Sequence, residues 1–159
     1  DKPAVWEAKV LVAEANTNKL NFFFGVADAI AANHLQDAGA GPLASYSGAL
    51  FFKEDGQTLW SVETSIAGTQ TTTQLTAVNS LDKTAHTAGS SSYQTLRIEF
   101  LPFSSTQADV LFYIDGVCVA KHLFTYTSAT EMQVGIGVKN GSTTAETAYA
   151  DYVAAFQAR

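Results

Sequence analysis

Along much of the chain apolar and polar residues alternate with a period near two, the pattern of half-buried β-strands. In Val5-Trp6-Glu7-Ala8-Lys9-Val10-Leu11-Val12, Glu7 and Lys9 fall on one face, with Trp6, Ala8, Val10 and Val12 on the other. From Leu20 to Val26 the pattern becomes continuous, with Phe22, Phe23 and Phe24 in succession. Three consecutive phenylalanines need cover on both faces, which predicts a central strand. Asp28 to His34 reads as one short helical turn with Asp28 as its cap, and Asp37 to Pro42 reads as a loop. A hairpin follows, with Ala49 to Lys53 rising, Asp55-Gly56 turning through residues that tolerate positive φ, and Thr58 to Glu63 returning. Trp60 and Val62 then share one face of the returning strand. Gly68 to Thr76 is dense in threonine and poor in apolar side chains, which predicts an exposed or edge strand that a partner strand could extend.

The second half follows the same grammar. Leu81 to Ser92 is small and polar, hence a loop. In the strand Tyr93 to Leu101, Leu96, Ile98 and Phe100 alternate with Thr95, Arg97 and Glu99, and Pro102 ends it. Val110 to Ile114, Asp115-Gly116 and Val117 to His122 form a second hairpin. Glu131 to Val138 is a strand whose Gly135 and Gly137 imply close approach or a bulge. Asn140-Gly141 starts a turn, and Ala148 to Gln157 closes the chain. About ten short strands without helical periodicity predict an all-β, two-sheet antiparallel sandwich, one domain over residues 1–159 closed by its own last strand.

Three segments resemble the concanavalin A-like (laminin-G-like) jelly roll shared by legume lectins, laminin-G-like domains and many β-glucanases. They are Val5 to Val10 followed by Phe22 to Val26; the Leu111-Phe112-Tyr113-Ile114-Asp115-Gly116-Val117 hairpin; and Val134 to Val138 through Tyr149-Ala150-Asp151-Tyr152-Val153. The middle of the chain, Gly39 to Pro42 through Gly48 to Lys53 with Trp60 to Ser65, is similar to uncharacterised proteins of tailed bacteriophages. That second resemblance implies a virion component, such as a capsid decoration or cement subunit, bound to capsid or other virion proteins. It would sit on the capsid surface, or otherwise outside the cell.

Composition adds constraints. Charged residues make up 15% of the 159, below the roughly 25% usual in soluble domains, so part of the surface is expected to face protein, as in a homo-oligomer or larger assembly. A net charge of −6 leaves no basic footprint for nucleic acid. No apolar run approaches the roughly 18 residues that suggest a membrane span, so no membrane partner is expected. Cys118, the single cysteine, lies between two valines and reads as a small buried hydrophobe.

Candidate chemistry is sparse. Glucanases of the resembled fold share a strand carrying Glu, Asp and Glu at alternating positions, which sets two carboxyls on one face. Here Glu54 and Asp55 lie in a turn, and Glu63, Glu99, Asp109 and Asp115 stand singly. No catalytic residue is assigned, no enzyme is expected, and a glycoside hydrolase ranks third among the readings. His34 and His86 fall in loops, and His122 ends a strand beside Lys121, so no triad assembles. Lectins of the resembled fold bind calcium through loop Asp and Asn residues. The nearest cluster here, Asp28, Asn33 and Asp37, lacks a recognised spacing, so neither metal nor cofactor is expected. Sugar sites pair an aromatic platform with polar neighbours, which makes Tyr46, Trp60, Tyr93 and Tyr126 candidate glycan or partner contacts. The alternating strands around Trp6 and Trp60 point to core packing instead. The leading expectation is therefore a non-enzymatic virion subunit, and the alternative is a lectin-like carbohydrate-binding module.

Overall fold

Alternation along β1 (Ala4–Ala13) sends Ala8, Val10 and Val12 inward and leaves Glu7, Lys9 and Leu11 on the opposite face. A computed structural model describes residues 2–14, 19–36, 39–89, 92–126, 131–143 and 145–158. The remaining strands are β2 (Leu20–Ala27), β3 (Gly48–Lys53), β4 (Ser61–Ile66), β5 (Thr69–Gln74), β6 (Gln94–Pro102), β7 (Gln107–Ile114), β8 (Val117–Thr125), β9 (Gln133–Asn140) and β10 (Thr147–Gln157). They form two five-stranded antiparallel sheets, sheet I in the order β10-β1-β6-β7-β8 and sheet II in the order β5-β4-β3-β2-β9. This is a two-sheet antiparallel β-sandwich of the jelly-roll kind, with β10 closing the chain against β1.

The Phe22-Phe23-Phe24 run is covered on both faces, as its lack of alternation demands. Phe22 and Phe24 enter the core between the sheets, where Phe22 packs edge-on to Trp60 at 5.6 Å. Phe23 points outward into a second apolar cluster with Leu50, Phe52, Leu35 and Tyr46. Residues 28–36 and 39–46 supply that outer cover with Ile30, Leu35, Leu43 and Tyr46. The helical turn expected at Asp28 to His34 is reduced to one hydrogen-bonded turn at its end, His34 N–H to Ala31 O at 3.0 Å. The backbone there is drawn into cross-chain bonds, Asp28 N–H to Ser47 O and Leu43 N–H to His34 O, because the segment lies flat over sheet II. Asp28 still caps backbone, accepting from the N–H groups of Ala29 and Ser47, both at 3.0 Å. Of the predicted Asp37 to Pro42 loop, residues 37 and 38 lie outside the described residues.

The two Asp-Gly pairs behave differently. Asp115 (φ 50°) and Gly116 (φ 83°) both adopt positive φ, and Ile114 pairs with Val117 in a two-residue hairpin. Ala67 (φ 48°) and Gly68 (φ 88°) make the same kind of turn between β4 and β5 without any Asp or Asn. At Asp55-Gly56 only the glycine does so, and pairing of β3 with β4 begins at Phe52 and Ser61. The returning strand therefore starts later than the predicted Thr58. Trp60 donates its N–H to His86 O and accepts at its carbonyl from Leu75 N–H, so its backbone is committed to residues 75–86. Gly137 answers the close-approach reading, since a Cβ there would lie 2.2 Å from Cε1 of Phe23. The threonine-rich β5 is indeed an exposed edge of sheet II.

Candidate functional site

The two outer faces of the sandwich are treated unequally. That of sheet II lies under residues 28–36 and 39–46, whereas every outward side chain of sheet I keeps solvent contact. Because β1 and β6 send their even-numbered residues into the core, Glu7, Lys9, Arg97 and Glu99 project from this open face. Tyr113 of β7 stands beside Arg97, and Lys121 of β8 stands beside Leu111. On β10 a register shift opposite Lys9 and Val10 leaves Asp151 as an extra residue. Tyr152 thereby pairs with Lys9 and Tyr149 with Leu11, so both rings reach the outer face although three positions separate them.

Charge on this face is locally neutralised. The Lys9 ammonium lies 3.0 Å from Asp151 and 5.5 Å from the centre of the Tyr93 ring. Arg97 pairs with Glu99 and lies over Tyr113 with 5.6 Å to the ring centre, and Lys121 pairs with Asp109 at 2.7 Å. Tyr152 donates its hydroxyl to Glu7. Partial burial and the Glu99 carboxylate push the Tyr113 phenol up to about 12. Burial, followed by the same carboxylate, raises the Cys118 thiol. The Tyr113 phenol therefore stays protonated and can donate a hydrogen bond at neutral pH. The arrangement offers ring faces for stacking, with fixed donors and acceptors between them.

The residues singled out from sequence do not converge. Trp60 is wholly buried, with its indole N–H donated to Gln94 Oε1 at 3.0 Å. Tyr46 is also buried, and its hydroxyl donates to Glu63 at 2.8 Å. Neither presents a ring to a ligand. Tyr126 is half-buried against Phe100 and Phe124, and donates to Ser104 O at 3.1 Å. It lines an open cavity of about 610 Å³ at one end of the intersheet gap, with Trp6, Val26, Phe124 and Val134 on its apolar side and Lys2, Glu131 and Gln157 among its polar lining. Of the four, Tyr93 alone stands on the open face of sheet I, at 43% exposure. Tyr113, Tyr149 and Tyr152 were not singled out. The Thr95, Arg97, Glu99 alternation did place β6's polar face, but Tyr149 and Tyr152 share it through a bulge that no local pattern announces.

Other polar groups hold structure together. The buried Glu63 carboxylate accepts from Tyr46, Gln70 and Thr72, tying β5 and residues 28–46 to β4. Burial raises Glu54, against a lowering bond from Gly41, with Glu63 adding a smaller push. His122 does not lie at a surface strand end: it is buried between the sheets, and burial lowers it to about 4. His34 is also buried, lowered by burial, between the Phe23 and Tyr46 rings. His86 is bound to Asp82 at 3.1 Å. Of the calcium cluster weighed above, Asp28 caps backbone, Asn33 accepts from Lys139, and Asp37 lies outside the described residues.

No family model matches the chain, and no curated protein matches it. Two solved structures are similar to it. One is the carbohydrate binding module CBM66 from Bacillus subtilis, with a TM-score of 0.49 and 11% identity over 98% of this chain and 75% of that one. The other is the marine PL7 alginate lyase AlyA1 from Zobellia galactanivorans, with a TM-score of 0.44 and 12% identity over 99% of this chain. The match spans 63% of the lyase's length. Likenesses this distant concern the fold and carry no argument about a ligand.

Proposed function

We propose that this chain is a non-catalytic glycan-binding module that presents the open outer face of sheet I to an extended, neutral glycan. The observation that carries the reading is the uncovered face itself, with Tyr93, Tyr113, Tyr149 and Tyr152 set among ion pairs. Aromatic faces stack on sugar rings, and carboxylates and ammonium groups exchange hydrogen bonds with hydroxyls. Each cation of the face is already paired with a carboxylate, which favours an uncharged chain over a polyuronate. Affinity electrophoresis through neutral polysaccharides and through alginate tests this. Retardation is expected in a neutral gel, with Tyr113→Ala and Tyr152→Ala each weakening binding about tenfold, roughly the value of one aromatic contact. Retardation by alginate alone, or variants that bind as tightly as the parent, would overturn it, and release of reducing ends would contradict the non-catalytic part.

A second reading makes the chain a decoration or cement subunit of a tailed-phage capsid. Its support is the 15% charged composition and the apolar side chains exposed along β9 and β10, surface that an assembly would cover. Mass spectrometry of purified particles tests it: the chain is expected at stoichiometric copy number, and its absence removes the reading.

A further inference from the structure

The two lateral sides of the sandwich differ as much as its two faces. On the β5 and β8 side the gap between sheets is sealed. Leu75 is fully buried there, Leu81 N–H bonds to Val119 O on β8, and His122 bridges to Thr64 and Thr73. On the opposite side β9 and β10 are both sheet edges, and they touch across the sandwich. Val134, Ile136 and Val138 of β9 pair with Val26, Phe24 and Phe22 and so point into the intersheet gap. They nevertheless remain 37%, 38% and 46% exposed. Val153 of β10, paired with the buried Ala8, is 43% exposed in the same gap. Among the described residues nothing covers them.

We infer that this side is an interface with a second copy of the chain, in which β10 pairs antiparallel with β10 of its partner across a two-fold axis. Sheet I would then run continuously over ten strands, and the inward valines and isoleucine of both copies would come under cover. The edge invites pairing. β10 spans 11 residues without proline or lysine and is guarded at one point only, where Asp151, its one charge, is the extra residue of the bulge; natural edges are usually guarded by lysine, proline, bulges or short length. An antiparallel β10 pair is self-complementary, which a two-fold requires. The strip along this side is apolar as well. Val134, Ile136, Val138 and Val153 turn into the gap, and Tyr149, Tyr152 and Phe156 stand on the outer side of the same edge strand, where a paired strand would flank them without covering the face. Of the two edges on the sealed side, β5 has six residues, all threonine and glutamine, and β8 carries Lys121. The inference does not depend on what the open face binds.

Sedimentation-velocity ultracentrifugation over a hundredfold concentration range tests it, with the monomer at 16.9 kDa. The parent is expected to sediment at twice that mass, and Ile136→Lys and Val153→Lys as monomers. Both positions are already partly solvated, so circular dichroism of each variant should match the parent. Hydrogen exchange supplies a readout independent of substitution: the outer-edge amides of β10 should gain protection as the concentration of the parent rises, and those of β5 should not. A parent that stays monomeric, variants that still dimerise, or protection appearing at β5 in place of β10 would each overturn the inference.

Discussion

His122 offers a quantitative test of the core. Its ring is buried between the sheets, 3.1 Å from Thr64 Oγ1 through Nδ1 and 3.0 Å from Thr73 Oγ1 through Nε2, with the Phe112 ring in an edge contact at 5.3 Å. No charged group acts on it; desolvation alone lowers it from 6.5 to about 4. The unfolded chain takes up the proton near 6.5 and the native chain only near 4. Between those values the unfolded state binds more protons, so stability falls as pH falls. The contribution is fully present above 6.5 and is lost by about pH 4. A shift of that size corresponds to about 3 kcal/mol at 1.36 kcal/mol per unit. His122→Gln keeps hydrogen-bonding capacity for the two threonines but does not titrate. Urea unfolding of parent and variant from pH 7.5 to 4 isolates the effect, because the carboxylates common to both cancel in the difference. The parent should lose about 3 kcal/mol relative to the variant across that range. A difference that stays constant with pH, or an imidazole NMR titration of His122 centred near 6.5, would refute the argument.

Other perturbations reach different parts of the structure. Gly25→Ala places a Cβ 2.2 Å from Ala49 O and 2.8 Å from Leu50 Cα, so β2 and β3 must separate. Thermal unfolding should show a loss of about 3 kcal/mol or more. Trp60→Ala removes the largest fully buried side chain and leaves Gln94 without its donor, for an expected cost of about 3–5 kcal/mol in denaturant titration. Lys53 is fully buried, donates to Leu20 O and pairs with Glu14. Lys53→Met and Glu14→Gln should each destabilise by about 3–5 kcal/mol, and a double-mutant cycle should find the pair costing much less than their sum.

Much of the architecture is written in short-range pattern. Alternation in β1 and β6 named the inward residues correctly, and the unbroken Phe22-Phe23-Phe24 run announced cover on two faces before either cover was known. Asp115-Gly116 specified its turn, because two adjacent residues suffice to fix a two-residue hairpin. Asp55-Gly56 carried the same local signal and produced a longer connection, because the Trp60 backbone is claimed by residues distant in the chain. The open face was half legible: Thr95, Arg97 and Glu99 marked the polar side of β6, yet Trp60 and Tyr46 were drawn as candidates although burial hides both. Which sheet face stays bare depends on where Ile30, Leu35, Leu43 and Tyr46 lie, and which side of the sandwich stays open depends on residues 75–88. Periodicity therefore settled which residues of a strand turn inward, since that is a property of consecutive Cβ directions. Exposure, the shared face of Tyr149 and Tyr152, and the uncovered seam of β9 and β10 arise from contacts between remote segments, which only the folded chain brings together.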